Sequence, residues 1–265
     1  MLSKWTKSRA LRLMAMMTFV LGQLGASAWA GLADAVPKVK PSIVIVGTYK
    51  ATDNPRFQLR GTGFVVGEGN TVVSNAHVLP DATGLSDAPA LVVQVRGSDG
   101  QWQMRRVDRH QRDDAHDLAL LRIEGPAAPA LALGDSERVR EGDDLAFTGF
   151  PIGGFLGYSP VTHRATVSSI TPAALPSPSA RQLQERAVRG LRNGTFDIFQ
   201  LDATAYPGNS GGPLFDPSTG EVLGVMNMVL IKGTRESALS QPSGIAYAIP
   251  AVHVKELLAR SAQQR

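Results

Sequence analysis

From about residue 37 the chain is a succession of short runs rich in Val, Ile, Phe and Thr, each closed by Gly, Pro, Asp or Asn. This rhythm limits the fold more than any other feature, because β-branched and aromatic runs punctuated by turn residues read as strands. The expected strands are 42–49, 61–66, 71–74, 90–95, 102–108, 118–123, 144–148, 161–170, 198–201, 212–215, 222–230 and 244–249. A dozen strands at this spacing point to a closed all-β architecture, a sandwich or barrels. Residues 124–130, EGPAAPA, form a linker near the midpoint, so two β units of about 90–120 residues each are expected. The one convincing helix comes at the end. There Pro250, favoured in a first helical turn, opens a segment carrying Val252, Leu257 and Leu258.

Residues 1–30 stand apart. Lys4, Lys7, Arg9 and Arg12 precede an apolar run from Leu13 to Leu24, and Ala28-Trp29-Ala30 has the form of a signal-peptidase site. The run is shorter than the ~18 residues that span a bilayer. An exported protein, periplasmic or secreted and cut near Ala30, is therefore expected, with no stable membrane insertion afterwards. Removing the leader leaves 23 basic and 23 acidic residues in a mature chain of 235. The high pI thus belongs largely to the leader, and no overall basic excess suggests a nucleic-acid partner. Arg105, Arg106, Arg109 and Arg112 form a local basic run that reads as a solvated loop or strand edge. The chain has no cysteine. A domain this size buries roughly 70–75% of its unfolded surface and needs no disulfide, and thiolate chemistry is excluded.

The segment Tyr206–Phe215, YPGNSGGPLF, places Ser210 in a glycine-walled turn. Alone it is an ordinary turn sequence. His77 sits just after a strand and before the turn residues Pro80 and Asp81, where it can project into a cleft. Asp117 abuts the apolar run 118–123, so it is partly buried and needs a hydrogen-bond partner such as a histidine N–H. Asp113 and Asp114 precede that run by several residues and read as solvated, and His116 would point away from Asp117 on an extended strand. The order His77, Asp117, Ser210 has gaps of 40 and 93 residues. The first two groups fall in the first unit and the serine in the second, where a cleft between units would assemble them. The order His…Asp…Ser is that of one serine-protease architecture among several. No paired metal-ligand spacing and no phosphate loop is present, so neither metal nor cofactor is expected.

Taken with Gly61–Val66 (GTGFVV), Ser74–Val78 (SNAHV), Asp117–Leu121 (DLALL), Gly149–Gly153 (GFPIG), Gly208–Leu214 (GNSGGPL) and Gly244–Pro250 (GIAYAIP), the chain resembles trypsin-like serine proteases. It is most similar to the Deg-type, high-temperature-requirement proteases of bacterial envelopes. The resemblance implies two six-stranded antiparallel β-barrels, at about 37–128 and 129–250, with the active site between them and a helix at about 250–262. It also implies a serine endopeptidase acting on polypeptides in envelope quality control. Ser210 is then the nucleophile, His77 the general base and acid, and Asp117 the orienting carboxylate. Gly208, Asn209 and Ser210 form the oxyanion hole. Thr204, at the base of the specificity pocket, with Ala205, Tyr206, Val225, Met226, Asn227 and Ala246, is assigned to substrate binding. Val225–Met228 is expected as an edge strand pairing with substrate, and the preference is for small or medium aliphatic residues. Asn209, where digestive enzymes carry an aspartate, argues against activation by propeptide cleavage. The segment 172–195 lies where the family carries a regulatory loop. Relatives usually continue into peptide-binding PDZ domains, whereas this chain ends at Arg265. A protease-domain trimer and a monomer are both compatible with that. The alternative reading is a binding or chaperone-like module on a protease scaffold, with an esterase third.

Overall fold

A computed structural model describes residues 31–80, 87–97, 99–151, 157–173, 196–227 and 244–263. The leader at 1–30, most of the 172–195 segment, and residues 228–230 of the expected eleventh strand lie outside these. Helix α1 (Leu32–Val39) comes first, followed by a 3₁₀ turn at Lys40–Ser42. Six strands then follow: β1 (Ile43–Tyr49), β2 (Phe57–Val66), β3 (Thr71–Asn75), β4 (Ala90–Arg96), β5 (Trp102–Asp113) and β6 (Leu118–Ile123). A second set comprises β7 (Asp144–Gly149), β8 (Val161–Ala173), β9 (Phe196–Asp202), β10 (Pro213–Phe215), β11 (Val222–Asn227) and β12 (Ile245–Pro250), and α2 (Ala251–Gln263) ends the described chain. Each set closes on itself antiparallel, in the orders β1-β2-β3-β6-β5-β4 and β10-β11-β12-β9-β8-β7. Closure leaves no open sheet edge, the usual solution for an all-β chain.

The twelve strands fall where the Val, Ile, Phe and Thr runs place them. β5 and β8 run further than those runs suggest, to Asp113 and Ala173. Two differences concern helices. Pro250 is the last residue of β12, and α2 starts one residue later. Helix α1 was not expected, because Pro37 interrupts it; Gly31 opens it, with the Asp34 carboxylate accepting the Gly31 N–H at 3.0 Å.

Alternation along β6 explains how the barrels join. Ala119 and Leu121 point into the first barrel with Val44, Val65 and Val93. Leu118 and Leu120 point the other way, into a core that also holds Phe64, Phe150, Phe215, Val225, Val254 and Leu257. That core draws on both barrels and on α2. The second barrel has its own interior around Phe147, Leu201, Leu214 and Met226. Parallel bridges at Val66–Leu131 and Leu133–Val222 run the linker along both barrels. Among the described residues no helix is long and apolar enough to cross a membrane.

Candidate active site

His77 lies in a short 3₁₀ turn, Ala76–Val78, at the end of β3, and Asp117 immediately precedes the neighbouring β6. The ladder pairs Asn75 with Leu118, so the two side chains start side by side. The Asp117 carboxylate grips His77 twice: Oδ1 accepts the His77 backbone N–H at 2.8 Å, and Oδ2 lies 2.6 Å from Nδ1. Asp117 has φ of 50°, a left-handed conformation that Asp tolerates better than most residues. Its carbonyl fixes that conformation by accepting the Ala76 N–H at 3.1 Å and Asn75 Nδ2 at 3.0 Å.

Ser210 comes from the second barrel, in the turn before β10, and is 5% exposed. This turn is moored to the first barrel. The Ser210 carbonyl accepts the Thr62 N–H at 2.8 Å, and the Thr62 hydroxyl donates to the Gly208 carbonyl at 2.6 Å while accepting the Phe150 N–H at 3.0 Å. Gly211 makes the close approach feasible. Its φ is 85°, and a Cβ there would lie 2.1 Å from the Thr62 carbonyl oxygen and 2.4 Å from Ser74 Oγ. The cross-barrel hydrogen bonds seat the serine turn against β2, the neighbour of the strand that leads to His77.

Other expected residues sort differently. The Gly208 N–H finds no acceptor among the described residues, but the Asn209 N–H donates to the Tyr206 carbonyl at 3.0 Å. Asn209 is therefore corrected from oxyanion donor to turn closer, and its side chain is fully buried with no partner for either amide atom among the described residues. Val225 and Met226 are completely buried; Val225 pairs with Pro213 of β10 and Ile249 of β12, and Met226 pairs with Ala248 of β12 while its backbone bonds Gly211 and Gly212. The edge-strand expectation fails there. Thr204, expected at a pocket base, is exposed, whereas Ala205 and Ala246 pack in the second barrel's interior. Tyr206 is half-buried, with its ring 6.5 Å from that of His163. His163 stacks on Phe147 at 4.8 Å; its Nε2 is buried without a partner, and burial pushes its pKa down.

Asn227, assigned to substrate, instead serves the acid. It is fully buried, and its Nδ2 donates to Asp117 Oδ2 at 2.8 Å. Thr62, the tie between barrels, was missed too; its position between two glycines in GTGFVV was the one available signal. Asp113 is a third correction. Its side chain is only 9% exposed, against 55% for Asp114. His116 Nδ1 lies 3.0 Å from Asp113 Oδ2, and Arg260 of α2 donates to the same oxygen. Burial works against the Asp113 charge, but the His116 hydrogen bond and charge, with Arg260 behind them, outweigh it and hold the pKa down at about 2. His116 also stacks on His253 of α2, ring centroids 4.1 Å apart, with Phe196 edge-on to both. The cluster joins the loop before Asp117 to the last helix.

A carboxylate held against an imidazole, with a serine in a turn moored to the same barrel, is the set of groups that acyl transfer uses. Among the described residues no His, Asp or Glu cluster could hold a metal ion.

The family description "Trypsin-like peptidase domain" matches residues 61–225. The mitochondrial serine protease HTRA2 of Drosophila pseudoobscura pseudoobscura is 33% identical over 205 residues, which cover 77% of this chain and 40% of that protein. HTRA2 of Drosophila ananassae is 32% identical with the same coverage. The chain thus spans about two fifths of the length of these relatives. Among solved structures, the HtrA-type protease AlgW with a tripeptide superposes with a TM-score of 0.61 at 26% identity, covering 86% of this chain and 62% of that one. AlgW with a decapeptide gives 0.59 at 23% identity, covering 86% and 66%, and speaks to the fold alone.

Proposed function

The chain belongs to the trypsin-like peptidase domain family, and from that premise we propose that it is a serine endopeptidase of the HtrA type. Ser210 Oγ attacks a peptide carbonyl, and His77 takes its proton and returns it to the leaving amine. Asp117 keeps the His77 tautomer and stabilises the imidazolium. The Gly208 and Ser210 N–H groups receive the developing oxyanion, where one donor is typically worth about 2.7–4 kcal/mol. The observation that carries this reading is the grip on Asp117: two contacts to His77 and one to Asn227 fix both carboxylate oxygens, an arrangement a plain turn or strand end does not need.

The finer reading is an exported enzyme, freed of residues 1–30, that clears damaged polypeptides in the envelope. The preference for small or medium aliphatic residues rests on the sequence positions of Thr204, Ala205 and Ala246, which carry no carboxylate to meet a Lys or Arg side chain. The test is labelling with a fluorophosphonate probe, located by mass spectrometry. Adduct at Ser210, absent from Ser210→Ala, is expected. Silence in the presence of candidate peptides and after deletion of 174–195 would overturn the enzyme reading in favour of a peptide-binding module on the same scaffold.

A further inference from the structure

At the far end of β5 from Asp113, a cavity of about 680 Å³ opens between α1, the β4–β5 turn and the interbarrel linker. Its size is ordinary for a ligand site. Lys40, Arg96 and Arg105 line it, and none of the three forms an ion pair among the described residues. Their present contacts are to neutral groups. Arg96 Nε donates to the Gly100 carbonyl at 3.1 Å with its guanidinium 5.9 Å from the Trp102 ring centroid, and Arg105 donates to the Pro126 carbonyl. The nearest acid on the turn, Asp99, accepts the Gln101 N–H at 3.0 Å. Between the cations the wall is apolar, formed by prolines of α1 and the linker with Ala127 and Ala128.

We propose that this cavity is a docking site for an acidic segment of polypeptide, separate from the catalytic residues. Three cations without counter-ions call for carboxylates, each guanidinium keeping donors beyond those already used. The apolar wall between them calls for a ligand with carbon surface between its charges, which extended Glu- or Asp-bearing peptide has and inorganic phosphate lacks. Arg105, set down in the sequence as part of a solvated basic run, here faces a concave surface. The site stands whether or not the chain hydrolyses peptides.

The experiment uses residues 31–265 with Ser210→Ala, which prevents cleavage, and a fluorescein-labelled acetyl-Ala-Glu-Leu-Glu-Ala-Glu peptide followed by anisotropy. Binding is expected to weaken about tenfold in Arg96→Gln/Arg105→Gln and again when salt is raised from 0.05 to about 0.5 M. Lys40→Glu, at a side chain with no hydrogen bond among the described residues, should give a similar loss and keeps the test valid if the arginine variant unfolds. The proposal is overturned by equal binding of the Gln-for-Glu peptide, or by affinity indifferent to all three residues, which would put the peptide elsewhere. It is also overturned if inorganic phosphate displaces the peptide at matched charge, or if self-association is what these variants abolish, which would assign the face to a second copy.

Discussion

Asp117 Oδ2 meets both a histidine ring and the amide of Asn227, a residue 110 positions away. The amide donates without taking a proton, so it holds the carboxylate in place and leaves the acid–base work to His77. Replacing it as Asn227→Leu removes one hydrogen bond to a charged group, about 1.5–3 kcal/mol. The expected result is a kcat lower by roughly one to two orders of magnitude with KM little changed. A fall confined to KM would instead assign Asn227 to substrate, as its sequence position first suggests. Asn209 makes the opposite point. Its buried amide has no partner among the described residues, and a charge there would meet none of them either. Asn209→Asp should lower stability by about 3 kcal/mol at neutral pH, seen in urea unfolding; a stability equal to the parent's would mean that an unseen cation reaches this position.

At the scale of elements, α2 is tied to the loop before Asp117 by Asp113, His116, His253 and Arg260, with Glu256 3.4 Å from His253 Nδ1. Burial, and then the charge of His116, lower the His253 pKa against weaker opposing pulls from Glu256 and Asp113. Unfolded His253 therefore takes up its proton first, and stability falls as pH drops below about 6.5. His163, lowered by burial, adds to the same limb. Asp113 acts lower down: its charge stabilises the fold above its ordinary value of 3.8, and that contribution is lost as pH falls toward about 2. Urea unfolding across pH 7 to 5 should show a shallower slope in His253→Asn, and an unchanged slope would remove this histidine from the account. How far such elements were legible depends on what forms them. The β6 run LALLRI announces itself by composition and was found to the residue. The extension of β5 through Arg109, His110 and Arg112 was not, because polar residues facing solvent carry no hydrophobic alternation. The pairing of His77 with Asp117 could be expected from order and local context, and the structure joins them at 2.6 Å. The role of Asn227 could not, since it comes from a partner 110 residues away, and the burial of Asp113 could not, since α2 with Arg260, 147 residues on, covers it.

For the whole molecule, the core shared by both barrels and α2 predicts one cooperative transition. Trp102 is the sole tryptophan in residues 31–265 and lies edge-on to Phe150, ring centroids 5.6 Å apart, so its fluorescence reports the junction between the barrels. Far-UV circular dichroism reports the strands of both. The two urea curves should coincide; fluorescence leading dichroism would show the barrels parting before either melts. The Thr62 hydroxyl gives this cooperativity a biological edge. It belongs to one barrel and pins the serine turn of the other. A chain whose halves are synthesised but not yet docked, or are prised apart by heat, therefore has its serine turn unmoored from the barrel that carries His77. Under the function proposed above, a chain built this way cuts nothing until it is finished and ceases to cut as soon as it is itself damaged.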